Sequence, residues 1–360
     1  MKKILKRIFL PIVALVVAIL FVVIGYVVYL FIDYSRIEEN QPITIKNQTE
    51  EKVKVGVEYS ALTYNIGFCA YLPDFGFFMD GGKESRAKSK ESVLNTLDGI
   101  NQLIGGLNPD FIMLEEVDEK ATRSYKVNQR AYFEDKFSSY NSVFATNFDS
   151  SYLFYPIFNP HGKSLSGMLT LSKFGITSSI RKSLPIENSI MKFFDLDRCY
   201  SVTRIAVEDG KELVLYTAHL SAYTSDESIA NNQIDMLTKD MQSEYEKGNY
   251  VVCGGDFNKD LLMNSEEIFG RSGADQVWAQ PFPTEYLQNK NLSLISSLDE
   301  NNPIPTCRNA DAPYNEKQFV LTVDGFIVSD NILVSECCVK GSNFIYSDHN
   351  PVLMKFSLKS

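Results

Sequence analysis

The chain has 360 residues, with 35 Lys+Arg against 45 Asp+Glu and a formal charge of −10. Hydrophobic residues at 44% and charged residues at 22% exclude wholesale disorder, and 20 Gly and 13 Pro are too few for a fibrous or low-complexity chain. The charge is uneven: Lys2, Lys3, Lys6, Arg7 and Arg36 against Asp33 leave residues 1–36 at +4, so the remainder carries −14. An acidic body disfavours sequence-independent nucleic-acid binding, which needs a Lys/Arg surface to displace phosphate counterions. It leaves room for a nuclease that makes few phosphate contacts. There is no internal repeat with a period of 20–50 residues.

Residues 1–7 are a basic N-terminus. Ile8 to Ile32 is an uncharged run of 25 residues with no polar face. As a helix it spans ~37 Å, enough to cross a ~30 Å hydrocarbon core. The flanking cations hold the N-terminus in the cytoplasm and send the body across. The run ends in Tyr29-Leu30-Phe31-Ile32-Asp33, without the small residues of a cleavage site. An uncleaved signal anchor over 8–32 is therefore expected rather than a signal peptide. Residues 33–56 are polar and weakly patterned and read as a juxtamembrane tether, leaving 57–360 as the folded body.

In that body, short apolar runs predict strands at Ser60–Ile66, Phe111–Leu114, Ser142–Ala145, Gly167–Leu171, Cys199–Val207, Glu212–Ala218, Tyr250–Cys253, Val320–Val328 and Pro351–Phe356. Val93, Leu97, Ile100 and Ile104 share one face of a helix over 86–105. Ile234, Leu237, Met241 and Tyr245 do the same over 226–247, with Thr224 or Ser225 available as N-cap. Strands outnumber helices, and some pairs are joined too tightly for a crossover helix. The expected class is an α/β sandwich with mixed sheets. The six cysteines (Cys69, Cys199, Cys253, Cys307, Cys337, Cys338) form no metal-binding spacing. Outside the cytoplasm disulfides are permitted, but no connectivity can be read.

Polar groups recur at strand ends, where rigid scaffolds place catalytic side chains. Asn65 ends LTYN; Glu115, Glu116 and Asp118 follow DFIML; His219 follows LVLYTA. Asp256 and Asn258 follow VVCGG, Asp324 interrupts VLTVDGFIV, and Ser347, Asp348 and His349 precede Asn350-Pro351. Hard oxygen ligands of this kind suit Mg²⁺ or Mn²⁺, and the lack of Cys/His clustering argues against zinc. Asp324 inside an apolar strand needs a partner. Singly, Asp256 and Asn258 are more often turn formers, and His219 is equally a hydrogen-bonded strand-end histidine. His161 in NPHGKS fits a loop residue better than a catalyst. Arg198 and Lys163 are candidate phosphate binders, with surface solvation an equal reading.

Taken together, TYNIG, FIMLEEVD, YTAHLSA, GGDFNKD, TVDGFIVS and YSDHNPV resemble, in order, the motifs of the endonuclease/exonuclease/phosphatase superfamily over about residues 58–358. That superfamily includes apurinic endonucleases, pancreatic-type deoxyribonuclease, neutral sphingomyelinases and inositol-polyphosphate 5-phosphatases. The resemblance implies a four-layered α/β sandwich, two mixed sheets flanked by helices, and hydrolysis of a phosphoester with a divalent metal. It also implies roles. Glu116 holds the metal, with Asn65 and Asp348 beside it, while Glu115 stands where glutamine is usual. Asp256 orients or deprotonates the attacking water, and Asn258 holds a phosphoryl oxygen. His219 stabilises the transition state or leaving group, and Asp324 fixes the imidazole of His349.

The motifs leave the substrate open. Two stretches are unusually aromatic: Phe68, Tyr71, Phe75, Phe77 and Phe78, and Tyr152, Phe154, Tyr155 and Phe158. They either fill the core or form an apolar rim that meets lipid. With the anchor, the leading expectation is a membrane-bound phosphoesterase acting on a lipid headgroup or a small phosphorylated metabolite. A surface nuclease is the rival enzyme reading, and a catalytically silent binding module the third.

Overall fold

The computed structural model describes residues 2–222, 227–273, 280–297, 299 and 302–360. The chain divides into two compact units, Met1–Arg36 and Ile37–Ser360. The first is one helix, α1 (Lys2–Asp33). Its Phe9–Asp33 segment is long and apolar enough to cross a bilayer, a property that signal sequences share.

The second unit runs β1 (Gln41–Pro42), β2 (Glu58–Asn65), α2 (Lys90–Leu107), β3 (Phe111–Ala121), α3 (Gln129–Lys136), β4 (Asn141–Asp149), β5 (Ser164–Ser172), β6 (Ile176–Ser183), β7 (Cys199–Ala206), β8 (Glu212–His219), α4 (Glu227–Glu246), β9 (Tyr250–Asp256), α5 (Ser265–Phe269), β10 (Leu292–Ile295), β11 (Cys307–Arg308), β12 (Val320–Leu321), β13 (Asp324–Ser329), β14 (Ile332–Val339) and β15 (Val352–Leu358). One sheet has the order β1-β6-β7-β8-β9-β13-β10 and the other β14-β15-β2-β3-β5-β4, with β11 and β12 as a separate pair. Both large sheets are mixed: β2–β3 and β8–β9 are parallel, the other ladders antiparallel.

Period-2 alternation builds the layers. Ala61, Phe111, Met113, Leu215, Val252, Phe326, Met354 and Phe356 point between the sheets and form one core. The opposite face of β2, β3 and β5 carries Leu62, Ile112, Leu114 and Leu169 against Val93, Leu97, Ile100 and Ile104 of α2. The opposite face of β8 and β9 carries Val214, Tyr216, Val251 and Cys253 against Ile234, Leu237 and Met241 of α4. The result is helix, sheet, sheet, helix, the four-layered α/β sandwich.

Several local features depart from expectation. The predicted Val320–Val328 strand divides: Val320–Leu321 pairs with β11, and Asp324 opens β13 in the large sheet. Helix α2 begins at Lys90 because Ser89 and Ser92 close a capping box. The proposed caps of the second helix, Thr224 and Ser225, lie outside the described residues. The segment expected as tether is built into the sandwich from residue 41: β1 pairs with β6, Val53 bridges to Val207, and Ile43, Ile45 and Val55 pack on the inter-sheet core. All six cysteines are free thiols.

Candidate active site

Strand parity explains where the polar residues go. Counting by twos from Ala61, Met113, Leu215, Val252 and Phe326, the inter-sheet face of each strand ends in Asn65, Glu115, His219, Asp256 or Asp324. Register then aligns them. His219 pairs with Asp256 and Asp256 with Asp324 on one sheet, while Asn65 pairs with Glu115 on the other. The apolar filling of the sandwich thus gives way at one end to a buried polar mouth.

Glu116 belongs to the opposite face by parity and reaches the site through a bulge. Between Leu114 and Val117 strand β3 carries one residue more than β5, and Glu116 adopts a positive φ of 56°. Its Oε1 accepts from Asn65 Nδ2 at 3.3 Å, and the same amide nitrogen lies 3.1 Å from Asp256 Oδ2. Asp256 Oδ1 accepts the backbone N–H of Asn258 at 2.9 Å. His349 Nδ1 donates to Asp324 Oδ2 at 2.8 Å, and its Nε2 faces Asp256 Oδ2 at 3.8 Å. His219 Nε2 lies 3.6 Å from that same oxygen. Glu116, Asn65, Asp256, His349 and Asp324 form one string that crosses both sheets.

The remaining expected residues lie at varied depth. Asp348 Oδ1 lies 3.1 Å from Ser347 Oγ. Asn258 Nδ2 and Arg198 Nη1 both donate to the carbonyl of Leu220, each at 2.9 Å, and Arg198 also pairs with Asp195 at 3.0 Å. Arg198 is therefore buried behind His219, with no surface role. Lys163 is exposed, 4.0 Å from Asp149. Asp118 is engaged by Arg123 and Ser124. His161 is a buried loop residue whose Nδ1 donates to the Ser85 carbonyl at 2.8 Å. Burial and the nearby Arg123 push its imidazole down to about 3, so it is neutral.

Four further residues support the site, and of these only Ser347, within YSDHNPV, was marked by the sequence. Thr306 Oγ1 accepts the backbone N–H of Val323 and of Asp324, at 2.9 and 3.1 Å, and so fixes the start of β13. Cys307 Sγ lies 3.5 Å from His349 Nε2. Ser347 Oγ donates to the Asn65 carbonyl at 2.8 Å and accepts the His349 N–H at 3.2 Å. Thr63 Oγ1 donates to Glu115 Oε1 at 3.1 Å. Thr306 and Cys307 sit in NPIPTCRNAD, which has no periodicity; only their approach through a β-bridge between Cys307 and His349 reveals them.

Electrostatically the mouth is crowded with carboxylates. Burial, then Asp324, push Asp256 up to about 7. Burial, then Asp324 and Asp256, hold Glu115 well above the usual range. Burial also raises Glu116, against the pull of Arg123, and raises Asp348, against His349. Burial and Arg198 hold His219 well below its ordinary value. Burial acts on His349 in the same sense, but the Asp324 carboxylate and the Cys307 thiol outweigh it and hold the imidazole well above. Donor atoms of Asp256, Asp324 and His349 lie within 4.8 Å of one another. Glu115 Oε2 and Asp324 Oδ1 are buried without a hydrogen-bond partner. Excess buried carboxylate with unsatisfied oxygens fits a cation-binding site.

A two-sheet sandwich with a mouth of buried carboxylates and imidazoles is the arrangement of a hydrolase site. The Endonuclease/Exonuclease/phosphatase family profile matches residues 62–349, and the chain belongs to that family. It is a phosphoesterase, its substrate is a phosphoester, and its family is typically dependent on divalent metal. The fold is similar to an endonuclease/exonuclease/phosphatase from Beutenbergia cavernae (15% identity, TM-score 0.56, 84% of this chain and 72% of that one). It is also similar to ANGEL2, a 2′,3′-cyclic phosphatase, in complex with adenosine-2′,3′-vanadate (16%, 0.57, 88% and 99%). A third similar structure is the human Nocturnin catalytic domain with bound sulfate (15%, 0.52, 89% and 99%). Among curated proteins, none matches the chain.

Proposed function

We propose that the chain is a membrane-anchored, Mg²⁺- or Mn²⁺-dependent phosphoesterase that hydrolyses a phosphodiester or phosphomonoester, with a lipid headgroup as substrate. The string from Glu116 through Asn65, Asp256 and His349 to Asp324 carries this reading, because it places a water-activating carboxylate between an amide and a charged imidazole. Glu116, Asn65 and Asp348 would hold the cation, since the other cluster of donor atoms includes an imidazole already engaged with Asp324 and held protonated, a poor ligand. When bound, the cation polarises a phosphoryl oxygen and offsets the carboxylates.

The side chains then divide the work. Asp256, held near neutrality and oriented by the Asn258 N–H, takes the proton of the attacking water. His349, kept charged by Asp324, faces the phosphate and stabilises the added equatorial charge. His219, neutral through burial, donates a hydrogen bond toward the leaving oxygen. One N–H of Asn258 is engaged by Leu220, and the other is left for a phosphoryl oxygen. The residues 152–158, exposed and aromatic, and the apolar 8–32 segment support a lipid substrate and an extracytoplasmic, single-pass placement with the N-terminus in the cytoplasm. The acidic body weighs against extended nucleic acid.

A panel of phospholipids, sphingomyelin, inositol phosphates, nucleotides and DNA, each with and without Mg²⁺, tests this on the purified full chain. Metal-dependent release of a phosphorylated headgroup or phosphate from lipid, lost in chelator, is expected. Faster turnover of DNA than of lipid favours the surface nuclease. No hydrolysis of any of these or of bis-p-nitrophenyl phosphate favours a binding module.

A further inference from the structure

The two aromatic stretches have opposite fates. Phe68, Tyr71 and Phe75 are buried and pack with Phe77 as core. The β4–β5 connection does the reverse. Tyr155 is 64% exposed, Ile157 68%, and Phe158 wholly so, with Tyr152 and Phe154 near 40%. Five large apolar side chains within seven residues remain in solvent, although Leu153 pairs with Gly162 to close the connection at its base. An apolar cluster of this density on a soluble surface marks an interaction site.

Its position and charge specify the occupant. Residues 150–163 contain no Asp or Glu in a chain of net −10. The adjoining β3 end, hydrogen-bonded to this connection through Thr122 and Lys163, adds exposed Lys120 and Lys126, and residues 120–126 also lack an acid. Aromatic rings and a proline tip with lysines behind them suit the interface of a bilayer bearing anionic lipid. A protein partner would meet the same mainly cationic collar, with Asp149 at its margin 4.0 Å from Lys163, but the same chain carries an apolar segment of membrane-crossing length. The loop also sits at the active-site end of its sheet. Strand β5 runs antiparallel to β3, so the residues before Ser164 lie beyond the Glu116 bulge. Phe78, following the loop that starts at Asn65, meets Tyr155 at 5.8 Å between ring centroids.

We propose that residues 152–158 are a bilayer-docking element that inserts Tyr155, Ile157 and Phe158 into the lipid interface beside the mouth of the site. Insertion does not depend on which bond the enzyme cleaves, so it goes beyond the substrate reading. The test uses the full chain reconstituted into vesicles of zwitterionic and anionic phospholipid. Trp278→Phe removes the native indole, and Phe158→Trp or Leu333→Trp adds one. Leu333 is also exposed, at 55%, but lies on β14, at the other edge of the sheet. With brominated acyl chains, fluorescence of Phe158→Trp should fall at least twofold and that of Leu333→Trp should not. Equal quenching at the two positions overturns the proposal. So does a blue-shifted Phe158→Trp emission that bromolipid leaves untouched, which means a second copy or another protein covers the loop. Unchanged thermal transitions certify the variants as folded. If the quenching is seen and no phospholipid is hydrolysed, docking stands and the substrate reading fails.

Discussion

At the scale of single residues, the site places chemical function and stability in opposition. Asp256→Asn removes the carboxylate proposed to activate water, and His349→Ala the charge proposed to face the phosphate. Each is expected to lower kcat by ~10²–10⁴-fold with the thermal midpoint little changed, checked by steady-state kinetics beside calorimetry. Glu115 gives the opposite sign. Its Oε2 is buried without a partner and its carboxyl stands well above the usual range. Between the unfolded and folded pKa values the folded chain binds more protons than the unfolded one, so stability from this group falls as pH rises. Glu115→Gln should therefore stabilise the chelator-treated protein, by roughly 1–2 kcal/mol at pH 8 and by much less at pH 4. Urea denaturation at the two pH values measures it, and an equal or negative difference refutes the account. The residues gathered at the mouth were legible in the sequence where a polar residue ended an apolar run, as Asn65, Glu116, His219 and Asp256 do, or interrupted one, as Asp324 does. Thr306 was not, since its contribution is a hydroxyl aimed at another segment's backbone and leaves no local pattern.

Elements were legible to the extent that burial imposed a period. Helices α2 and α4 each lay one apolar stripe on a sheet and show it at spacings of three and four. Strand β6 reads ITSSIRKS and β14 ILVSECCV, the latter an edge strand buried mainly at its two ends, so neither presents the continuous apolar run that marks central strands. Helix α3 buries Phe133 and Gln129 alone. The bulge at Glu116 is equally silent, because its cause is a count of residues against a partner strand. Glycine makes this scale testable. A Cβ on Gly255 would stand 1.9 Å from the Ala218 carbonyl oxygen, in the backbone of the β8–β9 ladder that carries His219 and Asp256. Gly255→Ala should destabilise by at least ~2 kcal/mol and depress activity with it. Gly105, in α2, has nothing within 4 Å of an added Cβ, and Gly105→Ala should stabilise by roughly 0.5–1 kcal/mol at full activity. Denaturation midpoints of the pair decide whether close approach or chain entropy governs each site.

Over the whole molecule, the charge asymmetry and the sandwich serve one arrangement. Neither sheet alone holds the site: β2 and β3 bring Asn65 and Glu116, while β8, β9 and β13 bring His219, Asp256 and Asp324. The six motifs are spread along the chain for that reason, and their order reflects the winding of both sheets. Part of the −14 of the body converges at this mouth, where a bound cation would make it usable by an anionic substrate. The +4 of the first 36 residues has a different use. Lys2, Lys3, Lys6 and Arg7 precede an uncharged run that ends in bulky residues, and signal peptidase requires small ones. In cells the full chain should therefore stay in the membrane pellet through an alkaline carbonate wash, and its intact mass should include residues 1–36. A soluble product that begins just after the apolar run would show a cleaved signal and remove the anchor. In that case the 152–158 loop would be left to reach lipid, and vesicle binding by the released product would weaken steeply with Tyr155→Ser and Phe158→Ser.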